Sequence, residues 1–422
     1  MKKSIFLLFA LFVLSFSIQA QDNNQVDTLV TRDAAVNLYL DCNSCDMTYF
    51  RQNFTLVNYV RDRKVADVQV IVSTMRNGGG GREYTMQFIG LGRFSHLNDT
   101  LKFNMKADAT SDETRKKQLK TIKLGLVPYI LKTPFADKIK VDYAQETKKI
   151  KEEDPWNNWV FRISGNAWLN GQKTYNSTNI YTKASASRIT ENIKHETEIN
   201  ADYSENKYRL YDAKDSLIYS ANTITRGVYF GHSTIWSMGN HWGAGIDINA
   251  WQSTYSNINI GFSLSPEIEY NVFKYSNASR KQLRFAYKLG VDYRDYTDTT
   301  IYNKTSEYLA DQRFEINFKY ITSWGSVRTG VNWQNYLHDF SLYSIGTSLS
   351  TNIRLFKGLS LNIYGNLQMP RNQIGLVKTE STPEDVLLHQ RELSTKYSYY
   401  TSIGISYTFG SIYNNVVNPR LD

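Results

Sequence analysis

Gln282-Leu283-Arg284-Phe285-Ala286-Tyr287-Lys288-Leu289-Gly290-Val291-Asp292-Tyr293-Arg294-Asp295-Tyr296 carries the clearest period-two pattern in the chain. Leu283, Phe285, Tyr287, Leu289, Val291 and Tyr293 alternate with Arg284, Ala286, Lys288, Gly290, Asp292 and Arg294. Successive side chains of an extended chain point to opposite faces, so one strand here carries an apolar face and a charged face. Working outward, Phe314, Ile316, Phe318 and Tyr320 repeat the pattern against Arg313, Glu315, Asn317 and Lys319. Leu359, Leu361 and Ile363 oppose Ser360, Asn362 and Tyr364, and Ile403, Ile405, Tyr407 and Phe409 oppose Ser402, Gly404, Ser406 and Thr408.

About twelve segments alternate in this way: 159–170, 179–191, 195–206, 222–236, 242–253, 258–272, 282–296, 308–322, 325–337, 341–356, 358–370 and 395–409. A soluble sandwich also alternates, but it turns its apolar side inward and rarely needs strands so long. Long strands with one greasy face suit a transmembrane antiparallel β-barrel, with lipid outside and polar groups within. The residues expected to face the lumen are Glu196, Glu198, Asp202, Asp247, Arg284, Lys288, Asp292, Arg294, Arg313, Glu315, Lys319 and Arg328. Acidic residues gather in the third and fifth strands and basic ones in the seventh to ninth, which suits either opposed fields or salt-bridged closure. Trp159, Trp236, Trp242, Trp324, Trp333 and Tyr407 fall near strand ends, where interfacial aromatic girdles belong.

Connection lengths bear on the same fold. Met238 to His241, Thr322 to Gly325 and Phe356 to Gly358 are short, whereas 206–221, 297–307 and 371–394 are long and polar, as inner turns and external loops should be. The stretch 273–281 breaks the alternation, since it stands where a short turn is expected and holds Lys274 to Lys281.

The chain has 422 residues and a formal charge of +9, too mild an excess to suggest nucleic acid. Lys2 and Lys3 precede an apolar run from Ile5 to Ile18 that ends before polar Gln21, so residues 1–20 read as a secretory signal cut after Ala20. No later stretch reaches the length of a spanning helix, which leaves the barrel as the route into a bilayer.

Residues 26–145 read as a small α/β domain. Val36 to Leu40, Val65 to Thr74, Arg82 to Gly90 and Thr100 to Met105 are strand-like, and a short helix follows Asp46. Ser111-Asp112-Glu113 caps a helix through Leu119, Ile122, Leu126 and Ile130, with Pro128 as a kink. A charged linker spans 146–156, the barrel 157–411, and a periplasmic tail 412–422.

Tyr39-Leu40-Asp41-Cys42, Asn58-Tyr59-Val60-Arg61-Asp62-Arg63, Arg82-Glu83-Tyr84-Thr85 and the tail Tyr413-Asn414-Asn415-Val416-Val417-Asn418-Pro419-Arg420 resemble a family of Bacteroidetes outer-membrane barrel proteins with an N-terminal periplasmic domain. The resemblance covers nearly the whole mature chain and implies location and architecture. It lends no catalytic residues, since that family has no settled role. The first domain alone resembles small envelope domains such as the N-terminal domain of TolB, which implies protein contact by analogy of fold.

Cys42 and Cys45 form a C-x-x-C pair, read first as a structural disulfide in an oxidising compartment, with a redox dithiol or half of a zinc site as alternatives. Gly78-Gly79-Gly80-Gly81 leads into a strand rather than a helix, so it reads as a hairpin tip and not as a phosphate cradle. His232 and Ser233 are strand neighbours and point to opposite faces, so they cannot act as base and nucleophile together. No catalytic residue, cofactor or metal site is assigned. The expected location is the outer membrane, with the first domain in the periplasm. Partners are the lipid bilayer and a periplasmic or outer-membrane protein, and no nucleic acid. The expected role is structural or interaction-based through that domain. A channel for a small solute is the alternative, and a barrel-embedded hydrolase the weaker one.

Overall fold

The computed structural model describes residues 34–140, 154–356, 358–380, 382, 385, 388, 390–410 and 415. The signal, most of the linker and all of the tail but Asn415 lie outside the described residues.

The first domain is built on a five-stranded sheet in the order β2-β1-β3-β4-β5. Val36–Asp41 (β1) runs parallel to Val57–Tyr59 (β2) and to Val68–Arg76 (β3), while Arg82–Gly90 (β4) and Asn98–Met105 (β5) continue antiparallel. The three-residue β2 was not foreseen, because so short a run carries no period. Two helices cover one face. Met47–Asn53 (α1) starts at Asp46, whose carboxylate accepts from the Tyr49 amide at 2.9 Å and from Arg115 Nη1 at 2.9 Å. The Tyr49 amide, with Arg115 second, holds that carboxyl below its usual range.

Ser111–Ile130 (α2) is capped by Thr110 rather than by Ser111, through a capping box with Glu113. It runs on through Pro128, because a proline in the last turn removes only one intrahelical bond. Leu119, Ile122 and Leu126 pack with Val68, Val70, Met86 and Phe88 in a buried core. Gly125 is where helix and sheet touch, since a Cβ there would stand 2.0 Å from Phe88 Cζ.

The second region is a twelve-stranded antiparallel sheet in strict sequence order. Its strands are Trp159–Gly171 (β6), Tyr175–Ile189 (β7), Ile193–Tyr211 (β8), Leu217–Met238 (β9), Trp242–Ser253 (β10) and Ile258–Asn271 (β11). They continue with Lys281–Tyr296 (β12), Ser306–Thr322 (β13), Gly325–Tyr336 (β14), Asp339–Phe356 (β15), Leu359–Pro370 (β16) and Ser398–Tyr407 (β17). Each corresponds to one expected alternating segment. The link expected at 206–221 shrinks to five residues, Asp212 to Ser216, because β8 runs on to Tyr211 and β9 begins at Leu217. Asp212 closes that turn by accepting from the Lys214 and Ser216 amides.

The sheet does not close. Among the described residues β6 and β17 have no hydrogen bond to one another, and the order ends on each of them. The expected closed barrel is therefore here an open sheet. Water satisfies the backbone of an edge strand as well as a partner does, and only hydrocarbon makes pairing obligatory.

Gly125→Ala tests the helix contact. Alanine favours a helix by roughly 1 kcal/mol over glycine, but the clash with Phe88 is of the kind that costs about 1–3 kcal/mol. The expected net is destabilisation of the first domain, read as earlier onset of proteolysis within 34–140 on heating; a later onset would show that the core relaxes around the methyl group.

Candidate functional site

The strand registers sort the sheet into two faces. Following paired residues across the sheet, Glu196 meets Ser233, Ser233 meets Asp247, Asp247 meets Ser265, and Gly290 meets Asp311. Lys288 opposes Glu267 and Arg313, Glu315 opposes Ala286 and Asn332, and Lys319 opposes Arg328. All twelve charged residues singled out in the sequence lie on this one face. The other face carries Phe230, Ile248, Phe262, Val291, Phe314, Val331 and Ile345, with Phe262 and Val291 about half exposed.

The charges interlock. Lys288 Nζ reaches Asp247 at 2.6 Å and Glu267 at 2.7 Å, so it bridges β10 and β12 over the intervening strand. Arg284 joins Glu269 at 2.9 Å and Glu315 at 3.5 Å. Arg294 joins Asp292 at 3.0 Å, and Arg313 joins Asp311 at 2.6 Å. Lys183 pairs with Glu198, and Lys194 with Glu196 at 2.7 Å. Lys319 donates to the Ala278 carbonyl at 3.1 Å, while Asp202 stands beside Gly227, where a Cβ would leave no room for it. Arg328 lies across from Lys319 and has no ion pair among the described residues. Glu267, Glu269, Asp311 and Lys183 were missed. Strand parity alone could have found Asp311 and Lys183, whereas Glu267 and Glu269 precede the irregular 272–280 connection.

His195, His232, Thr197 and Thr234 cluster on the apolar face. His195 Nδ1 lies 2.9 Å from Thr234 Oγ1, and His232 Nδ1 lies 2.8 Å from Thr197 Oγ1. Ser233 points to the charged face, so the two imidazoles have hydroxyls for partners and no serine nucleophile from this pair.

One end of the sheet is covered by the first domain. This is the end with the connections at 190–192, 239–241, 272–280, 323–324 and 357–358, where β6 starts and β17 stops. The five-stranded sheet turns its helix-free face to it. Gln69, Ser73 and Thr85 on that face are buried although no helix covers them. Gln69 Nε2 donates to the Ser323 carbonyl at 3.3 Å, and Arg63 Nε donates to Gln69 Oε1 at 2.7 Å. Thr85, Gln87, Thr100 and Lys102 share a cavity with Ser276, Asn277, Ser279, Arg280 and Lys281. The connection that broke the short-long alternation is thus a contact with the domain, and its length serves that contact.

The firmest tie is ionic. Arg354, at the end of β15, gives a bidentate pair to Asp41 of β1 at 2.8 and 2.7 Å, donates to the Ser323 carbonyl at 3.3 Å, and lies 5.1 Å from the centre of the Tyr39 ring. Burial, the largest effect, pushes the Tyr39 phenol up. Asn415, beyond β17, accepts from the Tyr59 amide at 2.7 Å and donates to Asn58 Oδ1 at 3.1 Å. The glycine run forms the β3–β4 tip, with Gly80 at φ +71°, and a Cβ on Gly78 would fall 2.8 Å from the Ile189 carbonyl at the end of β7. Arg76 at the base of that tip shares a cavity with Lys183, Glu196, Glu198 and Asp247 on the charged face. Cys42 and Cys45, joined as a disulfide, stand next to Asp41.

No protein-family model matches the chain, and no curated protein does. Among solved structures, the translocator domain of autotransporter NalP from Neisseria meningitidis matches at 9% identity over 60% of this chain and 86% of that chain, with a TM-score of 0.26, a likeness too slight to bear on fold or function.

The Asp41–Arg354 tie has a direct test. A partly buried, charge-assisted bidentate pair is worth about 2 kcal/mol, roughly tenfold or more in an opening equilibrium. A cysteine placed at Ser73, which is buried under the covered end, is expected to react with maleimide at least tenfold faster when Arg354→Ala is added. An unchanged rate would mean that Arg354 does not hold the domain in place.

Proposed function

We propose that the chain is an outer-membrane β-barrel protein whose twelve-stranded sheet closes around its charged face in the bilayer, with the N-terminal domain standing in the periplasm as a cap on the inner mouth. Its role on this reading is structural or interaction-based, consistent with the resemblance to the Bacteroidetes barrel family. The observation that carries it is the placement of the five-stranded domain over the turn end of the sheet, tied by Asp41 to Arg354 and by Gln69 to Ser323.

Three physical points support the membrane part. The apolar face runs along the strands, interrupted at the His195–His232 cluster, and unpaired sheet edges are untenable in hydrocarbon, so β6 and β17 must pair with something there. Twelve antiparallel strands return both ends to one side, and the chain enters β6 and leaves β17 at the domain's end, the side with the shorter turns. Trp236, Trp242 and Trp324 cluster near that end, each exposed by nearly half, with Trp242 tilted on Tyr270 at 4.7 Å between ring centres. The ion pairs on the other face then line the lumen, where most of the charges have a partner close by.

Closure and capping are tested separately. Cysteines at Ile163 of β6 and at Ile403 or Ile405 of β17, all on the apolar face, are expected to form a crosslink within one chain in outer-membrane vesicles. Crosslinks found only between chains would reject closure and point to edge pairing of two copies. In planar bilayers the intact protein is expected to stay silent, and a variant lacking residues 21–155 to pass current if the lumen holds a water path. Steady open steps from the intact protein would reject the cap and favour a channel for small solutes.

A further inference from the structure

On the helical side of the first domain, opposite the face that meets Ser323 and Arg354, a groove of about 650 Å³ runs between α1 and α2. Phe54, Leu56, Leu119, Val127 and Ile130 form its floor, and Leu124 stands 58% exposed at its lip. Lys116, Lys120, Lys123, Lys138 and Lys140 ring it, and no Asp or Glu lines it. Lys116 is held by Asp112 at 2.6 Å, and Lys123 lies over the Phe54 ring at 5.5 Å. Among the described residues no carboxylate pairs with Lys120, Lys123, Lys138 or Lys140.

A solvated helix face commonly mixes both signs of charge and exposes few apolar side chains. This one has a single sign around an apolar floor. Like charges so placed repel each other, and a ligand with apolar side chains and carboxylates relieves both the repulsion and the exposed floor. The groove's size matches two or three side chains of a short helix laid along it. Because the helix layer lies beyond the five-stranded sheet from the barrel, the groove opens away from the bilayer.

We propose that this groove docks an acidic amphipathic helical segment of a periplasmic protein, its Leu or Ile side chains on the Phe54–Leu119–Val127 floor and its Asp or Glu residues against the lysine ring. The proposal rests on the reading that the domain stands in the periplasm, and it names the chemistry of the partner that reading calls for.

The test uses the full-length protein in dodecyl maltoside and a fluorescein-labelled peptide of about 14 residues, four helical turns, with Leu at i, i+3, i+4 and i+7 and Glu elsewhere. Anisotropy is expected to report saturable binding that weakens at least tenfold in Lys120→Glu/Lys123→Glu/Lys140→Glu, and weakens again between about 50 and about 300 mM salt as the charges are screened. Leu124→Ser, which removes only apolar contact, is expected to weaken it severalfold. Circular dichroism and the melting point of each variant establish that the domain is folded.

No saturable binding, equal binding by the triple variant, equal binding of a peptide of the same composition with the helical period scrambled, or displacement of the peptide by phosphatidylglycerol vesicles, which would assign the surface to lipid, would each overturn the proposal. Binding that appears only after Glu146, Glu152 and Glu153 are changed to Gln would make the chain's own linker the occupant and would also overturn it. The Ile163–Ile403 crosslink and the silence of the intact protein do not involve the groove, so failure here leaves the cap standing, and failure of the cap leaves the peptide result readable.

Discussion

A backbone amide that water cannot reach needs a partner in the chain, and the rest of this structure depends on how the strands meet that constraint. Eleven successive antiparallel pairings satisfy the main chain of every strand from β7 to β16 on both sides. What remains unpaired is the outer edge of the first strand and that of the last. On the proposed reading the same constraint accounts for the long strands, since at about 3.3 Å per residue a tilted strand needs roughly 9–11 residues to cross a bilayer. The strands here run from 10 to 22 residues, so several are longer than a bilayer crossing would need. The ion pairs of Lys173 with Asp215 and Lys207 with Glu205 sit in those extensions, at the end away from the domain.

The charged face answers a second requirement. Desolvating a charged side chain singly costs several kcal/mol, and most of the charges gathered on this face find a counter-charge. Lys288 satisfies two carboxylates on two other strands, and Arg284 spans from Glu269 to Glu315. Such pairs tie neighbouring strands at fixed register, since a slip of one residue would send a strand's charges to the apolar face.

The first domain has two faces of different character, and each has its use. The helix-bearing face buries an apolar core, with Phe88 packed so closely under Gly125 that no side chain fits between them. The bare face is polar, yet it is buried, because the end of the large sheet covers it. A polar contact of this kind holds through a few directed bonds, of which Asp41 to Arg354 is the strongest, and it is the type of interface that can open without exposing a greasy surface.

The sequence by itself determined the period-two alternation, hence the number, order and sidedness of the strands, because side-chain direction along a strand is fixed by backbone geometry and needs no partner. Leu283 to Tyr293 and Phe314 to Tyr320 show their faces to anyone who reads every second residue. The first domain's main helix and its β3–β4 hairpin were legible for the same local reason. Tertiary structure alone decided which charges meet, why residues 272–280 are long, and that Asp41 meets Arg354 across 313 residues of chain. Those contacts arise where elements far apart in sequence are brought together, and a single chain's local pattern carries no record of that. The lysine-ringed groove belongs with them, since Lys120 and Lys140 become neighbours only once the chain after α2 folds back along it.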